Sequence, residues 1–414
     1  MEANDVIYPR VAGIDVSKRD AKVCVRVPSK RRNTFRSIVT TWGSTVPEIL
    51  ELKAYLEREH LQLVVMESTS DYWKPFFYLL EDTVPVQLVN ARQAKNLPGR
   101  KTDVSDAAWL AKTASWGMLA PSFVPPPPVR ELRDLTRARS TLTHYRASVL
   151  QRLEKYLENT GTKLSAVVSD LNGVSSKLIL HALANGERDP KVLAALAKGR
   201  LKNKAKELEQ ALTGLRFTGH DAFMVAFHLD ELDAQDARLA ALDAQITEAF
   251  APFRPEIELL STIPGVKELT AQVIIAETGA DMAAFPTAAQ LAAWAGVAPG
   301  NNESAGRHKP AATRKGNTYL KGGLGTAALN IAKQKDNFLS ARYKRIANRR
   351  GKPRAIVATE HTIITAVWNM LANGVCYDEP PIRRYTQANA DRTRQHALNE
   401  LHQLGYQVTL TQAA

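Results

Sequence analysis

The first 120 residues alternate between short apolar runs, which are typical of strands, and longer stretches with helical spacing. Apolar and β-branched runs predict five strands, at residues 11–16, 21–27, 34–40, 61–66 and 85–90. Apolar positions at helical spacing predict three helices, at residues 47–60, 72–81 and 104–116. A strand meander followed by alternating helices and strands predicts an α/β domain built on a mixed sheet.

The middle of the chain is predicted to be helical. A stiff proline run, Pro125–Pro128, predicts a domain boundary. Beyond it, apolar residues recur at close to coiled-coil spacing over residues 129–159 and again over residues 229–250. Neither helix is apolar enough to be stable alone. We expect the two to pair with each other in a hairpin or with another subunit, and the pattern leaves both alternatives open.

The C-terminal part is predicted to be mostly α-helical. Residues 259–276 read as two helices around a glycine turn at 263–266. This pattern is typical of a helix-hairpin-helix, whose turn can offer backbone N–H groups to a phosphate, and also of an ordinary helix–helix connection. The predicted organisation is an α/β domain, a helical region, a second domain and an unassigned tail, at residues 1–124, 125–255, 256–378 and 379–414.

Positive charge is concentrated in one segment. The 414 residues hold 55 Lys and Arg against 42 Asp and Glu, a net charge of +13, and residues 301–354 alone carry a net charge of +12. Such a segment predicts a polyanionic partner. Few aromatic residues apart from Tyr343 interleave with the cations, so contact with a phosphate backbone is expected. The candidate contacts are Arg307, Lys309, Arg314, Lys315, Lys321, Arg345, Arg349 and Arg350.

Other features narrow the class of protein. The two cysteines, Cys24 and Cys376, are too few for a disulfide framework or a zinc site, which indicates a reducing cytosol. The N-terminus lacks the layout of a signal peptide, and no uninterrupted apolar run reaches about 18 residues. We therefore expect an intracellular, soluble protein without a membrane span.

Four carboxylates are candidates for a metal site. Asp15 and Glu67 fall at the carboxyl ends of predicted strands, and Asp103 and Asp106 lie three residues apart at the start of a predicted helix, on one face of it. Clustered carboxylate oxygens suit Mg²⁺ or Mn²⁺, and two such ions can clamp a phosphate during an in-line displacement. The alternative is structural, with Asp103 capping the helix and Asp106 solvated in its first turn.

A serine lies in a loop of small residues beside several cations. Ser304 is surrounded by Asn301, Asn302 and Gly306 and is followed by Arg307. An accessible hydroxyl near arginines has the ingredients of a nucleophile that attacks phosphate. By composition alone, an ordinary loop serine is the competing interpretation.

Two sets of motifs resemble one known family. They are the segments GIDVSK (13–18), MEST (66–69) and KTD (101–103) with Asp106, and PGNNESAG (299–306) and RKGN (314–317) with Leu320. Together they resemble the DEDD transposases of bacterial insertion sequences. The resemblance implies a RuvC-like, ribonuclease-H-type N-terminal domain and a C-terminal serine transposase domain. Many relatives have glycine directly after the serine, whereas Ala305 intervenes here.

The resemblance implies a DNA recombinase. It assigns divalent-metal binding to Asp15, Glu67, Asp103 and Asp106, and it makes Ser304 the nucleophile that becomes linked to DNA. It further implies donor and target DNA as partners, a structured bridge RNA that guides target choice, and a homo-oligomer in which metal and serine can come from different subunits.

Several other functions compete with this interpretation. A RuvC-like junction nuclease would use the metal site alone, and a non-catalytic nucleic-acid-binding protein would use only the cationic segment. Actin-like and sugar-kinase ATPases also open with a Gly-Ile-Asp strand, but they need glycine-rich phosphate loops. A tyrosine recombinase would use Tyr385 after Arg383 and Arg384, but its Arg and His constellation is not evident.

Overall fold

The computed structural model describes residues 6–31, 34–90, 105–300, 303–304, 306–308, 312–313, 315–379 and 394–410. The chain forms two compact units, Met1–Val124 and Pro125–Ala414. Each unit has its own hydrophobic core, and each is described by itself below.

The N-terminal unit contains a five-stranded mixed sheet. Its strands are β1 (Val11–Val16), β2 (Asp20–Pro28), β3 (Phe35–Gly43), β4 (Leu63–Glu67) and β5 (Val86–Val89). The order across the sheet is β3-β2-β1-β4-β5. The first three strands form an antiparallel meander, and β4 and β5 run parallel to β1. All five predicted strands are confirmed, with ends that differ by a few residues.

Helices cover both faces of this sheet. They are α1 (Val46–Arg58), α2 (Trp73–Leu80) and α3 (Asp106–Ser115). One core lies between alternate strand residues, such as Ile14 and Val23, and the buried faces of α1 and α2. The opposite set, such as Val11 and Val65, packs against α3. A sheet buried on both faces explains why its central strands read as continuous apolar runs.

Helix α3 lies directly on β1 because β1 has a glycine at the crossing. A Cβ atom added to Gly13 would come within 2.3 Å of the Ala107 carbonyl oxygen and 2.4 Å of the Ala111 backbone nitrogen. Both are backbone atoms of α3, so a larger residue would push the whole helix away. The glycine of the GIDVSK motif therefore sets the distance between α3 and β1, the strand that contains Asp15.

The start of α3 corrects one prediction. The sequence pattern predicted a helix over residues 104–116, with Asp103 and Asp106 on one helical face. The helix begins at Asp106, and Ser105 is its N-cap, with its hydroxyl accepting a hydrogen bond from the backbone N–H of Ala108. The described helix therefore starts at Asp106, and the capping role falls to Ser105 in place of Asp103, which lies outside the described residues.

The C-terminal unit is almost entirely helical. Its larger helices before residue 300 are α4 (Pro127–Asn159), α6 (Val174–Ala184), α8 (Ala205–Leu212), α9 (Gly219–Ala249), α10 (Arg254–Ser261), α11 (Glu268–Thr278) and α12 (Ala288–Trp294). The short helices α5 (Leu164–Val167) and α7 (Pro190–Ala195) lie between them. After residue 300 come a two-stranded hairpin, β6 (Glu303–Ser304) and β7 (Arg307–His308), and then α13 (Thr318–Lys333), α14 (Phe338–Arg350) and α15 (Lys352–Asn373). A last helix spans 394–403.

The two long helices α4 and α9 pack against each other in an antiparallel pair. Ion pairs and hydrogen bonds join Arg139 to Asp243, Tyr145 to Glu231 and Tyr156 to Asp221, so residue numbers rise along one helix as they fall along the other. The pairing within one chain agrees with the hairpin alternative of the sequence analysis.

The glycine turn between α10 and α11 packs against another helix. Gly265 has a φ of +83°, and a Cβ there would lie 2.6 Å from the Ile331 side chain and 2.7 Å from the Ala327 carbonyl oxygen of α13. Close packing on α13 therefore explains this glycine.

Helix α15 is long and apolar enough to cross a membrane by length and composition, but its apolar face, including Ile363 and Val367, is buried in this unit.

We expect Gly13→Ala to destabilise the N-terminal unit. The added methyl group collides with backbone atoms of α3, and such overpacking costs about 1–3 kcal/mol of the free energy of unfolding. Denaturant unfolding followed by tryptophan fluorescence measures it. The control is Gly322→Ala in α13, where a Cβ meets nothing within 4 Å and where alanine should stabilise the helix by up to about 1 kcal/mol. Equal effects of the two changes would contradict the close-approach role of Gly13.

Candidate active site and nucleic-acid interface

Two of the predicted carboxylates lie side by side at one edge of the sheet. Strands β1 and β4 are parallel neighbours, with Ile14 opposite Met66. The next residue of each lies at the same edge, since Asp15 is the last residue but one of β1 and Glu67 is the last of β4. Adjacent strands are about 4.8 Å apart. Asp15 is partly exposed, whereas Glu67 is 4% exposed. A buried carboxylate next to a second one is an unusual arrangement for a purely structural edge.

The third carboxylate reaches this edge through α3. Asp106 is the first residue of that helix, and the next residue, Ala107, is the one whose carbonyl oxygen approaches Gly13. Gly13 precedes Asp15 by two residues in the same strand. The approach of α3 to β1 therefore brings Asp106 to the part of the sheet where Asp15 and Glu67 lie, at the carboxyl ends of β1 and β4.

The chemistry of these donors fits a hard divalent cation. All of them are carboxylates, which is the ligand type that Mg²⁺ and Mn²⁺ prefer. Within the described ranges, no three His, Cys, Asp or Glu side chains are close enough together to form a complete metal site. The fourth predicted ligand, Asp103, lies outside those ranges. The fold thus brings three donors to one region without closing a ligand shell around a cation.

The predicted nucleophile is part of a tight β-hairpin. Ser304 ends β6 and pairs with Arg307 of β7, while Glu303 pairs with His308. This register leaves two residues in the loop, and Gly306 has a φ of +74°. Two-residue hairpin loops need such backbone conformations, which glycine adopts without strain. Gly306 therefore has a structural role in the hairpin even though it does not directly follow the serine.

The segment that leaves the hairpin is held at Gly316 and Asn317. A Cβ on Gly316 would lie 2.3 Å from the backbone nitrogen of Gly296, so the two chain segments touch through their backbones. The Asn317 backbone N–H donates to the Trp294 carbonyl oxygen at 3.2 Å. The Asn317 side-chain oxygen accepts from the backbone N–H of Tyr319 and Leu320, which caps α13.

A fully buried carboxylate ties this segment to the long helix α4. The Glu277 side chain is 0% exposed and accepts two hydrogen bonds from the Arg137 guanidinium, at 2.7 and 2.8 Å. Arg133 lies 3.3 Å from the same carboxylate, and the Asn317 side-chain amide donates to it at 2.6 Å. The hydrogen bonds that the Arg137 guanidinium donates to Glu277 raise the pKa of Arg137. We refer to Glu277, Arg133, Arg137 and Asn317 as the Glu277 cluster.

Aromatic rings complete the surroundings of the two arginines. The Arg137 guanidinium lies 4.6 Å from the centre of the Tyr319 ring, and that of Arg133 lies 5.9 Å from the Trp294 ring. Cation–π contacts of this kind stabilise a guanidinium that has lost part of its hydration. The Glu277 cluster therefore joins α4, α11, α12 and the start of α13 through charge, hydrogen bonds and ring contacts.

The predicted phosphate contacts differ in their surroundings. Arg307, Lys315, Arg345, Arg349 and Arg350 are exposed. Lys321 is partly buried, and its amine donates to the Thr313 hydroxyl at 3.3 Å. Its charge also opposes the rise in the pKa of Glu360 that burial causes. Lys309 and Arg314 lie outside the described residues.

Both halves of the chain match models of one transposase family. Residues 12–162 match a model described as a transposase of the DEDD IS110 type. Residues 257–344 match the transposase IS116/IS110/IS902 family. The described residues of the carboxylate edge lie within the first matched segment, and the serine hairpin lies within the second. The chain belongs to the IS110 family of transposases.

Relatives of this IS110-family chain come from several bacteria. A probable family 20 transposase of Pseudomonas aeruginosa is 28% identical over 36% of this chain and 44% of its own length. An IS900 protein of Mycobacterium paratuberculosis is 31% identical over 48% of this chain and 53% of its own length. The transposase of IS1111A from Coxiella burnetii is 24% identical over 89% of this chain and 91% of its own. The match thus spans about half or less of the first curated relatives, and nearly all of the last.

The sequence analysis of this IS110-family chain missed the Glu277 cluster. Glu277 ends an apolar helix, and the two arginines lie on a helix rich in charge, so no local pattern marks their pairing. Asn317 was noted only as part of the RKGN motif. The signal that could have singled out Glu277 is its position, since this charged residue directly follows the apolar run 273–276.

We expect Glu277→Gln to weaken the C-terminal unit strongly. Two arginines would lose their buried counter-charge, and removing one partner of a buried ion pair costs about 3–5 kcal/mol of unfolding free energy. Denaturant unfolding measures the change. The control is Glu258→Gln in the exposed pair with Arg254, whose side chains are 68% and 60% exposed and whose loss should cost less than about 1 kcal/mol. If Glu277→Gln lowers the free energy of unfolding as little as the control does, the stabilising role of the cluster is contradicted.

Proposed function

We propose that this chain is a DNA transposase that cuts and rejoins DNA strands through Ser304, assisted by divalent metal at the carboxylate edge. The observation that carries the proposal is the match of both halves of the chain, in order, to models of one transposase family. The carboxylate edge and the serine hairpin fall within these two matched segments. An N-terminal domain of RuvC-like type is part of the proposal, supported by the mixed sheet with strand order 3-2-1-4-5.

The serine would supply the covalent chemistry. The Ser304 hydroxyl oxygen attacks the scissile phosphorus, the bond from phosphorus to the leaving sugar oxygen breaks, and the serine proton ends on that oxygen. The product is a phosphoserine ester, which conserves the energy of the phosphodiester. A sugar hydroxyl of another strand then attacks the ester and releases the serine, so strands are exchanged without ATP.

Asp15, Glu67, Asp103 and Asp106 would hold Mg²⁺ or Mn²⁺. A bound cation there neutralises phosphate charge and lowers the pKa of a nearby oxygen nucleophile. The protein's own part is to present oxygen donors on a rigid edge. Asp15 and Glu67 do this from adjacent strands, and Asp106 from a helix fixed by its contact with Gly13.

The partners would be nucleic acids and further copies of the chain. Exposed cations in residues 301–354 suit the backbones of donor and target DNA, and binding would weaken steeply with salt. Guidance by a structured bridge RNA and a homo-oligomer, a dimer or tetramer, follow from the family resemblance. We place the activity in the bacterial cytoplasm, at the nucleoid.

We expect Ser304→Ala to abolish strand exchange. Without the hydroxyl no phosphoserine can form, so recombined product and denaturant-resistant protein–DNA adduct should both fall by about 10³-fold or more. The measurement is recombination between donor and target DNA, with the adduct detected on denaturing gels. Ser261→Ala, which removes an exposed serine hydroxyl of the same unit, is the control and should keep both signals.

The same variant separates the proposal from its alternatives. A metal-dependent junction nuclease would keep full cleavage after Ser304→Ala. A non-catalytic binding protein would give no rearranged DNA even as the unaltered chain. Either result would contradict the proposed use of Ser304.

We expect Mg²⁺ to stabilise the N-terminal unit. A ligand present at about 100 times its dissociation constant adds about 2.7 kcal/mol to the free energy of unfolding. Thermal unfolding with and without Mg²⁺ measures this independently of activity. Glu67→Gln should remove the shift, whereas Asp82→Asn, which changes a 66% exposed carboxylate paired with Lys53, should retain it. A Mg²⁺ shift that survives Glu67→Gln would place the cation elsewhere.

A further inference from the structure

A cleft of about 720 Å³ lies between the chain on either side of the serine hairpin and the helices α14 and α15. Pro299 and Ala312, which line it, bracket the hairpin residues 303–308 in sequence. Arg342 of α14 and Arg354 of α15 also line the cleft and bring positive charge to it. The volume is within the range of about 300–1,000 Å³ that is typical of small-molecule sites. Neither the carboxylate edge nor the phosphate contacts proposed above use this cleft.

Much of the cleft wall is apolar. Val297, Val357 and Ala358 line it together with prolines, and no aromatic side chain does so among the described lining residues. Such a wall favours an uncharged, flat group over a phosphate or an ion. His361 adds a polar group to this wall. Burial and the nearby charge of Arg342 lower the pKa of His361, so its ring is neutral at pH 7 and has one N–H donor and one nitrogen acceptor.

The cationic side of the cleft has unused hydrogen-bonding capacity. The Nε atom of Arg342 is buried and has no hydrogen-bond partner among the described residues. A buried donor without a partner is unfavourable, and an anionic acceptor from a ligand would offset this cost. Arg354 is exposed at the same cleft. The two guanidinium groups therefore suit a phosphate next to the apolar wall.

The row of arginines continues beyond the cleft. Arg342 also lines a second, smaller cleft of about 160 Å³ with Arg345 and Arg349, which lie three and seven residues further along α14. Residues at this spacing share one face of a helix. A strand whose phosphate lies at Arg342 can thus place following phosphates along the same helix face.

We propose that this cleft binds a single unpaired nucleotide, with its base against Val297, Val357 and Ala358 and its phosphate at Arg342 and Arg354. A paired base cannot enter, because its planar faces are covered by stacking and its edge by its partner. The net charge of +12 over residues 301–354 selects an anionic strand over an apolar peptide. The nucleotide can belong to DNA or RNA, since both have the same base and phosphate groups.

This inference rests on the proposed function only in requiring that the chain binds nucleic acid. It adds that one base leaves the helical stack beside the serine hairpin. Taking a base out of a stack is unfavourable, and least so where the strand is already single. A bound nucleotide would fix which nucleotide of the strand lies at the cleft. It would thereby set the register of the following phosphates along the cationic helix α14.

The test uses the fluorescent base 2-aminopurine, which is quenched when stacked and bright when unstacked. The full-length chain is titrated with a DNA single strand, an RNA single strand of the same sequence and a DNA duplex, each with one central 2-aminopurine. We expect a several-fold rise in fluorescence for at least one single strand, which identifies DNA or RNA as the source, and little change for the duplex. AMP should reverse the rise at concentrations at which inorganic phosphate does not.

Two variants locate the effect. Ala358→Phe fills the apolar side of the cleft and should remove the fluorescence rise while duplex affinity, measured by fluorescence polarisation, stays within about twofold, a free-energy difference below about 0.4 kcal/mol. Arg349→Ala, on the same cationic helix but outside the larger cleft, should weaken single strands and duplex alike and leave the rise at saturation intact. Should Ala358→Phe fail to fold, the AMP competition on the unaltered chain decides.

Three outcomes would overturn the inference. They are binding of single strands with no change in fluorescence for either DNA or RNA, a rise that AMP does not reverse, and an Ala358→Phe protein that is folded and keeps the rise. In each of them the proposed transposase function stands, because nucleic acid still binds. If neither strand nor duplex binds at all, the inference and the nucleic-acid part of the proposed function fall together.

Discussion

The C-terminal unit depends on one buried charge, the carboxylate of Glu277. Taking a carboxylate out of water is costly, and the cost is offset only when its oxygens are paired and hydrogen-bonded. Here Arg137, Arg133 and Asn317 meet that requirement from two other helices of the unit. The carboxylate can be buried only when α4, α11 and the start of α13 are all in place. The Glu277 cluster therefore forms only when these helices are correctly assembled. Its hydrogen bonds require more exact positions of the helices than apolar contacts do.

This constraint reaches the serine hairpin through a short chain of contacts. Asn317 binds Glu277 with its amide and caps α13 with its carbonyl oxygen, so one side chain serves both purposes. Gly316, directly before it, touches the backbone of Gly296. The chain that leaves the hairpin is thus fixed within a dozen residues of Ser304. In the RKGN motif, phosphate contact is predicted for the first two residues, whereas the last two, Gly316 and Asn317, anchor the chain.

The sequence predicted the elements of the fold much better than the contacts between them. All five strands of the sheet follow from local pattern: β1 and β4 are buried on both faces and read as continuous apolar runs, whereas β3, which has no fully buried residue, follows from its β-branched positions. Only part of the carboxylate edge was predicted. The pattern placed Asp15 and Glu67 at the carboxyl ends of their strands, but the two come together only because β1 and β4 are neighbours in the sheet. The relation of Asp103 to Asp106 stays a prediction, since Asp103 lies outside the described residues, but the helix begins at Asp106 and its N-cap is Ser105. Gly265 and Glu277 could not be interpreted from sequence, because their partners lie about 65 and 140 residues away in the chain.

The cationic side chains of residues 301–354 fall into groups with different surroundings. Lys321 is turned toward Thr313 and the buried carboxylate of Glu360, so it contributes little to an outer surface. Arg345, Arg349 and Arg350 are exposed on α14 and suit any phosphate backbone. Arg342 is between these extremes, because it is partly buried beside an apolar cleft with one donor left over. A uniform cationic surface would attract duplex and single strands alike. A half-buried arginine at an apolar wall favours strands that can offer a base as well as a phosphate, and this difference in surroundings is the physical basis for selecting an unpaired nucleotide.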